Sequence, residues 1–350
     1  MIALNIIVIK KLTVDLNSNI LKTIKILNDS TIKIVFVINK KNDKFIGTVT
    51  DGDIRRGLLR GININSKLSS VVYKKPIFVN FEKSSHEAIK KKFFETGQEF
   101  IPILKDKKII KVFRNIDKIS LKPNKVIENP VVIMAGGLGK RLKSLTKNSP
   151  KPLLRYKEKP LIEHIVSKAS NQGVKNFFIT VFYLKNKIKK YFTKRKKEEI
   201  KFNFIDEPKP LGTVGSIKYL KNIKKSFILI NCDVISDINY SNILGYHNKR
   251  TDSYLTIGVK NFKYKNPYGV IKSKNSKFLS FIEKPSIDFE INAGIYVFSP
   301  KLIDIVKKNK ILELNHLVNF LVKKNKRINV YPIIEDWRDF GEDIKNLKEY

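Results

Sequence analysis

The sequence predicts an α/β protein. A mixed, mainly parallel sheet with helices on both faces forms its larger, C-terminal part, and a smaller α/β module built from a repeat precedes it. Three observations lead there. Residues 130–350 alternate short apolar runs with helix-period segments, the pattern of a covered parallel sheet. The run "VVIMAGG" is an apolar strand that ends in glycines. The first 119 residues repeat themselves, and a repeated unit buries its apolar face against its own copy.

Length and composition set bounds. The 350 residues leave room for two or three domains, and 42% apolar content excludes global disorder. Lysine and arginine number 70 against 32 acidic residues, a net charge of +38. The excess is mostly lysine spread along the whole chain, whereas readers of bases concentrate arginine and aromatics on one element, so no specific nucleic-acid partner is expected. The field would still draw phosphorylated substrates. No apolar run reaches the ~18–20 residues of a membrane span. Met1–Ile9 lacks a basic start and a cleavage site, and reads as a buried strand rather than a signal peptide. The single cysteine, Cys232, excludes an intrachain disulfide and fits a reducing, cytoplasmic setting.

In the repeat, Ile24 matches Ile89 at an offset of 65 and Asp53 matches Asp117 at 64. Each copy begins with an amphipathic helix; in the first, Leu21, Ile24 and Leu27 share one face. Two strands follow, "IVFVI" and "FIGTV", then "FIPIL" and "IIKVF". A short helix after the aspartate closes each copy. The arrangement resembles a tandem CBS (Bateman) module, with copies at 1–62 and 63–119. That resemblance implies that Thr50 and Asp53, in "GTVTDGDIRRGLL", contact a nucleotide, with Asp117 in the second copy; an adenine nucleotide is the implied ligand. Arg114 replaces the second threonine. A helix cap at "DIRRGLL" explains Thr50 and Asp53 equally well. Residues 120–129, polar with Pro123, read as a linker.

The new domain opens on "VVIMAGGLGKR". Strand, glycine turn and helix start make an anion site from free N–H groups and the helix dipole, and glycines let backbone come close. Two common phosphate loops fail. A Walker A loop needs glycine at Met134, and a dinucleotide fingerprint needs its third glycine at Leu142. Arg141 follows, and "LTKNSPKPLL" then presents Lys151 between two prolines that stiffen it.

These residues closely resemble the signature of the sugar-1-phosphate nucleotidyltransferases, among them the aminosugar and hexose 1-phosphate guanylyltransferases. The match falls on Gly136, Gly137, Gly139, Arg141, Leu145, Thr146, Pro150, Lys151 and Pro152. The resemblance implies a Rossmann-like (GT-A-type) sheet. It implies nucleotide contacts at Ala135, Gly136, Gly137 and Gly139, with Arg141 and Lys151 as the catalytic cations. Losing Arg141 would cost roughly 10²–10³ in rate.

Further segments follow in the family's order. "EPKPLGTVGSI" resembles the base-reading loop, through Leu211, Gly212 and Thr213. "FILINCDVI" resembles the strand ending in a metal-binding aspartate, Asp233, with Cys232 where the family has glycine. "NPYGVI", "FIEKP" and "INAGIYVF" resemble sugar-side segments, through Gly269, Glu283, Lys284, Asn292 and Gly294. "WRDFGED" supplies Asp339 as the second carboxylate for Mg²⁺. His164 on an apolar helix face reads as a packed histidine, and Cys232 as a small buried hydrophobe.

The implied reaction joins an NTP, GTP foremost, to a sugar 1-phosphate and releases pyrophosphate. Its nucleophile is already an anion, so no general base is required. Thymidylyl, uridylyl or cytidylyl transfer, and a degenerate nucleotide-sugar sensor, stay open as alternatives. A homo-oligomer is expected.

Overall fold

The structure is a computed structural model and describes residues 1–115, 126–137, 146, 148–193 and 199–341. The chain divides into two compact units, Met1–Asn124 and Lys125–Tyr350.

The first unit carries two small sheets. Strands β1 (Ile2–Ala3), β2 (Thr13–Asp15), β3 (Ile34–Asn39), β4 (Lys44–Thr50), β5 (Val79–Asn80), β6 (Phe100–Lys105) and β7 (Lys108–Arg114) pair in the orders β2-β3-β4 and β1-β7-β6-β5. The repeat is visible in the pairing. β2 runs parallel to β3 and β5 parallel to β6, while β3–β4 and β6–β7 are antiparallel, each with a register shift midway. Helices α1 (Ile6–Lys11), α2 (Ile20–Asp29), α3 (Asp51–Leu59) and α4 (His86–Thr96) complete the described part. Phe36 of one copy meets Phe100 and Val112 of the other in one buried cluster, as stacking of copies requires.

Two sequence expectations change here. The N-terminal stretch is not a buried strand. Only Ile2–Ala3 pair, and the Asn5 side chain accepts the Ile7 N–H, an N-cap that starts α1 and leaves Ile6 and Ile7 exposed. In α2 the buried face is Ile20, Thr23, Ile24 and Leu27, the i, i+3, i+4, i+7 set, and Leu21 lies on its exposed flank.

From Val126 onward the chain is built into the second unit. Ile127 bridges to Val174 and is buried, and Asn129 Nδ2 donates to the Ser226 carbonyl at 2.7 Å. The strands are β8 (Val131–Ala135), β9 (Arg155–Tyr156), β10 (Lys159–Pro160), β11 (Asn176–Val181), β12 (Lys201–Asp206), β13 (Phe227–Asn231), β14 (Val234–Ser236), β15 (Ser253–Lys265), β16 (Val270–Lys274), β17 (Lys277–Ile282), β18 (Ser286–Phe298), β19 (Arg327–Pro332) and β20 (Trp337–Asp339). Seven of them form the main sheet, in the order β12-β11-β8-β13-β18-β15-β19. Its first four strands and the β15–β19 pair are parallel, while β18 runs antiparallel to both neighbours.

Both faces of this sheet are covered, so its central strands are apolar on both sides. Val131, Ile133 and Ala135 of β8 point into a core shared with α5 (Leu161–Asn171), α6 (Lys185–Thr193) and α7 (Tyr240–Asn248). Val132 points the other way, into a core with Leu302 of α8 (Lys301–Ile305) and Leu317 and Leu321 of α9 (Leu314–Lys323). The sheet is therefore mixed and mainly parallel, as the sequence predicts. No described helix is long and apolar enough to cross a membrane.

Candidate active site

Strands β8, β11, β12 and β13 are mutually parallel, so their carboxyl ends open on one side, where α/β sheets place ligands. Met134 pairs in register with Asn231. The glycine turn after β8 and the aspartate after β13 thus leave the sheet side by side.

The two glycines of that turn differ. A Cβ on Gly136 would lie 2.5 Å from Glu207 Oε1, whereas one on Gly137 would meet nothing within 4 Å among the described residues. Gly136 makes room for a protein carboxylate, and Gly137 has no such neighbour among the described residues. The sequence reading gave both the same task; only the neighbourhood separates them. Gly139, Arg141 and Asp117 lie outside the described residues.

Two aspartates meet beside this turn. β14 pairs with β20 so that Val234 faces Asp339, and the Phe340 N–H donates to the Asp233 carbonyl at 2.9 Å. Asp339 Oδ1 accepts the Gly341 N–H at 2.6 Å. A Cβ on Gly341 would sit 2.8 Å from Asp339 Oδ1 and 3.2 Å from Asp233 Oδ2, so the two oxygens lie within about 6 Å of each other. Sequence separates these residues by over a hundred positions; one short antiparallel pair unites them. Lys151 completes the cluster by donating to Asp233 Oδ2, and each of the two side chains is only 16% exposed. Pro150 enters and buried Pro152 continues the single 3-10 turn that carries the lysine.

Tyr296 lies behind the carboxylates, and sequence reasoning missed it. Burial first, with the Asp233 and Asp339 charges adding to it, pushes its phenol up to about 12. Its hydroxyl accepts Asn292 Nδ2 at 2.9 Å, and Asn292 Oδ1 accepts the Gly294 N–H at 3.1 Å. Gly294 has φ +69°, and a Cβ there would be 2.8 Å from Asn231 Nδ2. Asn292 and Gly294 are therefore tied to the aspartate cluster. The other sugar-side candidates stand elsewhere, around the β16–β17 hairpin. A Cβ on Gly269 would meet the Phe281 ring at 2.5 Å and Glu283 Oε2 at 3.0 Å, and Lys284 pairs with Glu283 at 3.9 Å with both side chains exposed. Among the described residues no hydrogen bond or ion pair joins Lys284 to the Lys151–Asp233 cluster.

The Leu211–Thr213 loop follows β12. Gly212 takes φ +76°, and its bare side faces Leu312 O at 2.8 Å and Glu313 Oε1 at 2.7 Å. The bare side of Gly212 is thus packed against the residues that lead into α9. The Leu211 N–H donates to Glu207 Oε2 at 3.1 Å, and Thr213 donates to Glu313 Oε2 through its N–H at 3.2 Å and its hydroxyl at 2.5 Å.

The two sequence-level decoys are occupied. His164 Nε2 lies 2.7 Å from the Tyr156 carbonyl, and burial pushes the Cys232 thiol far up. In the first unit, Thr50 and Asp53 form a capping box on α3. Asp53 Oδ2 accepts the Thr50 N–H at 2.9 Å and the Thr50 hydroxyl at 2.7 Å, and Oδ1 pairs with Arg56 at 2.5 Å.

Among the described residues no three acidic, histidine or cysteine side chains gather as a closed metal cage. Two hard carboxylates brought this close do suit Mg²⁺, which keeps waters and completes its shell with substrate phosphates.

Residues 130–347 match the family described as Nucleotidyl transferase. The mannose-1-phosphate guanylyltransferase catalytic subunit beta of Dictyostelium discoideum is 33% identical over 184 residues, 50% of this chain and 51% of that protein. The mannose-1-phosphate guanyltransferase of Yarrowia lipolytica is 35% identical over 188 residues, 50% of each. The chain spans about half the length of these curated relatives. Among solved structures, HddC from Yersinia pseudotuberculosis is 29% identical with a TM-score of 0.49, covering 63% of this chain and 98% of that one.

Proposed function

Because the chain belongs to the nucleotidyl transferase family, we propose that it transfers a nucleotidyl group from an NTP to a sugar 1-phosphate and releases pyrophosphate. A phosphate oxygen of the sugar 1-phosphate bonds to the α-phosphorus as the bond to pyrophosphate breaks. The observation that carries this reading is the meeting of Lys151, Asp233 and Asp339 at the end of the strand that pairs with β8, whose own end carries the glycine turn. Such a cluster can position and neutralise phosphates and needs no base.

In this reading the Gly137 backbone and Arg141 receive the triphosphate, and Lys151 offers a fixed cation to the incoming phosphate. Asp233 and Asp339 would hold Mg²⁺, which when bound adds positive charge to the phosphates. Asn292 and Gly294 face the sugar from β18, while Gly269, Glu283 and Lys284 reach it from the hairpin. Leu211–Thr213 takes the base.

Guanylyl transfer to a hexose or aminosugar 1-phosphate is favoured, since the relatives at 33% and 35% identity are named mannose-1-phosphate guanylyltransferases. Pyrophosphate release, measured for four triphosphates against several sugar 1-phosphates with Mg²⁺, tests it. Activity with GTP alone is expected, and activity with CTP, UTP or dTTP alone would overturn the base assignment. For the first unit we propose a CBS-type pair that binds an adenine nucleotide, supported by the repeated strand pairing. Titration of the full chain with AMP and ATP, followed by intrinsic fluorescence, tests it; no saturable change would remove it.

A further inference from the structure

Residues 261–290 include no buried residue, yet ten large apolar side chains among them stand 46–75% exposed. The reason is topological. β15 parts from β19 after Val259, and β18 meets β13 only from Ile295 onward. Between these points residues 260–265 and 286–291 pair with each other alone. They form a two-stranded ribbon ~20 Å long at the usual rise per residue. The β16–β17 hairpin, a separate two-stranded sheet, lies between the two halves of the ribbon in sequence.

The ribbon is two-faced. Phe262 stands across from Phe289 and Tyr264 across from Ile287, which puts four apolar side chains on one face. The other face sets Lys263 across from Asp288 and Asn261 across from Glu290. Such alternation belongs to a sheet with one face packed and one in water. Two strands alone are marginal in water, and packing on the apolar face is what secures them. The four apolar side chains here are each about half exposed. At roughly 200 Å² per large side chain, the ten leave on the order of 1,000 Å² of apolar surface open. The largest patch on an ordinary monomer is ~300–600 Å², and each partner in a stable interface contributes ~800 Å². The mixed signs on the back face do not suit an anionic bilayer, which selects an unbroken basic cluster.

We propose that a second copy of this chain covers the apolar face, ribbon against ribbon, in a two-fold dimer. The pairing also bears on the candidate site. Gly269 and the Glu283–Lys284 pair flank the β16–β17 hairpin at its root, so the cover that holds the ribbon also holds them. Sugar 1-phosphate affinity therefore depends on the dimer. That dependence rests on the nucleotidyl-transfer reading, whereas the dimer does not.

Sedimentation velocity of the full chain over a concentration series tests the dimer. The first unit could associate as well, so wild type is compared with Phe262→Ser/Phe289→Ser on the apolar face and Lys263→Ser/Asp288→Ser on the back. The apolar-face variant should halve the assembly's mass or raise its dissociation constant about 10-fold or more, with the melting temperature held. The back-face variant should match wild type. Tyr264→Ser/Ile287→Ser reports on the same face should the first pair fold poorly. A wild type that is monomeric throughout, or apolar-face variants that associate like wild type, would overturn the proposal. Capture of wild type by phosphatidylserine vesicles in place of self-association would overturn it in favour of a bilayer. In steady-state rates the apolar-face variant should raise KM for sugar 1-phosphate about 3-fold or more, and KM for the triphosphate less. Loss of the dimer with an unchanged sugar 1-phosphate KM would overturn the dependence alone. A chain that dimerises through this face but releases no pyrophosphate would sink the transferase reading and leave the dimer standing.

Discussion

The ammonium of Lys151 donates to the carboxylate of Asp233, a residue 82 positions further along the chain. Neither side chain is more than 16% exposed, so the pair works at reduced screening. A lysine held by two prolines and an aspartate held by strand pairing leave little freedom to part.

Replacing Asp233 or Asp339 by asparagine keeps size and removes charge. Each change should lower turnover by roughly 10²–10³, the usual scale for one electrostatic contributor. EDTA should abolish pyrophosphate release, and added Mg²⁺ should restore it in wild type but not in the asparagine variants. An Asp233→Asn protein with full turnover would remove the metal assignment.

Lys151→Met removes the fixed cation and leaves Asp233 without this partner. A fall of about 10²-fold in kcat/KM for sugar 1-phosphate is expected, with triphosphate affinity changed far less. Lys151→Arg should rescue little, because a planar fork does not reproduce a point charge. Stopped reactions at varied sugar 1-phosphate read this out.

Gly341→Ala probes the meeting of the two aspartates without touching either. Its methyl would intrude at 2.8 Å from Asp339 Oδ1 and 3.2 Å from Asp233 Oδ2. Activity should fall at least about 10-fold while the melting temperature shifts by only a few degrees, since the intrusion meets side-chain ends rather than core. Equal losses in stability and rate would point to a backbone fault instead.

His247 supplies a pH-dependent term in stability. It is 3% exposed, its Nδ1 lies 2.8 Å from Thr256 Oγ1, and burial lowers its pKa from 6.5 to about 4. Above pH ~6.5 both folded and unfolded chains hold it neutral, and its contribution is complete. As pH falls toward 4 the unfolded chain takes up a proton that the folded chain refuses, so stability drops, by an amount of order 3 kcal/mol at most. Melting curves from pH 7 to 4.5 should decline less steeply in His247→Gln than in wild type.

Thr50→Ala removes half of the capping box at the start of α3. A loss of about 1 kcal/mol in the first unit is expected, seen as earlier urea unfolding of that unit. A null result would mean that the N–H groups there find equivalent partners in water.

Much of this was legible in the letters, for identifiable reasons. The continuous apolar runs at Val131–Ala135 and Phe227–Asn231 announce central parallel strands because both faces are covered. The two aspartates could be named from motifs, yet only the β14–β20 pairing explains how they meet. The bare sides of Gly136 and Gly212 are packed against the protein's own Glu207 and Glu313, and the sequence could not show this: Glu313 comes from a segment that no motif singles out, and Glu207, though it opens "EPKPLGTVGSI", gives no sign that it reaches back to the turn after β8. Leu21 misled because its position differs from Ile20 by one step of 100°, too fine a turn for three apolar letters to resolve. Asn5 was readable as a cap, but the apolar letters around it outweighed that single signal.

Asp53 has one further implication. Each of its oxygens already receives a hydrogen bond, from the first turn of its own helix and from Arg56. With three donors on a carboxylate that has about four acceptor positions, a diol arriving from solution must displace at least one incumbent to be held through both hydroxyls. Loosening Arg56 or Thr50 would then free acceptor positions on Asp53 without altering its charge.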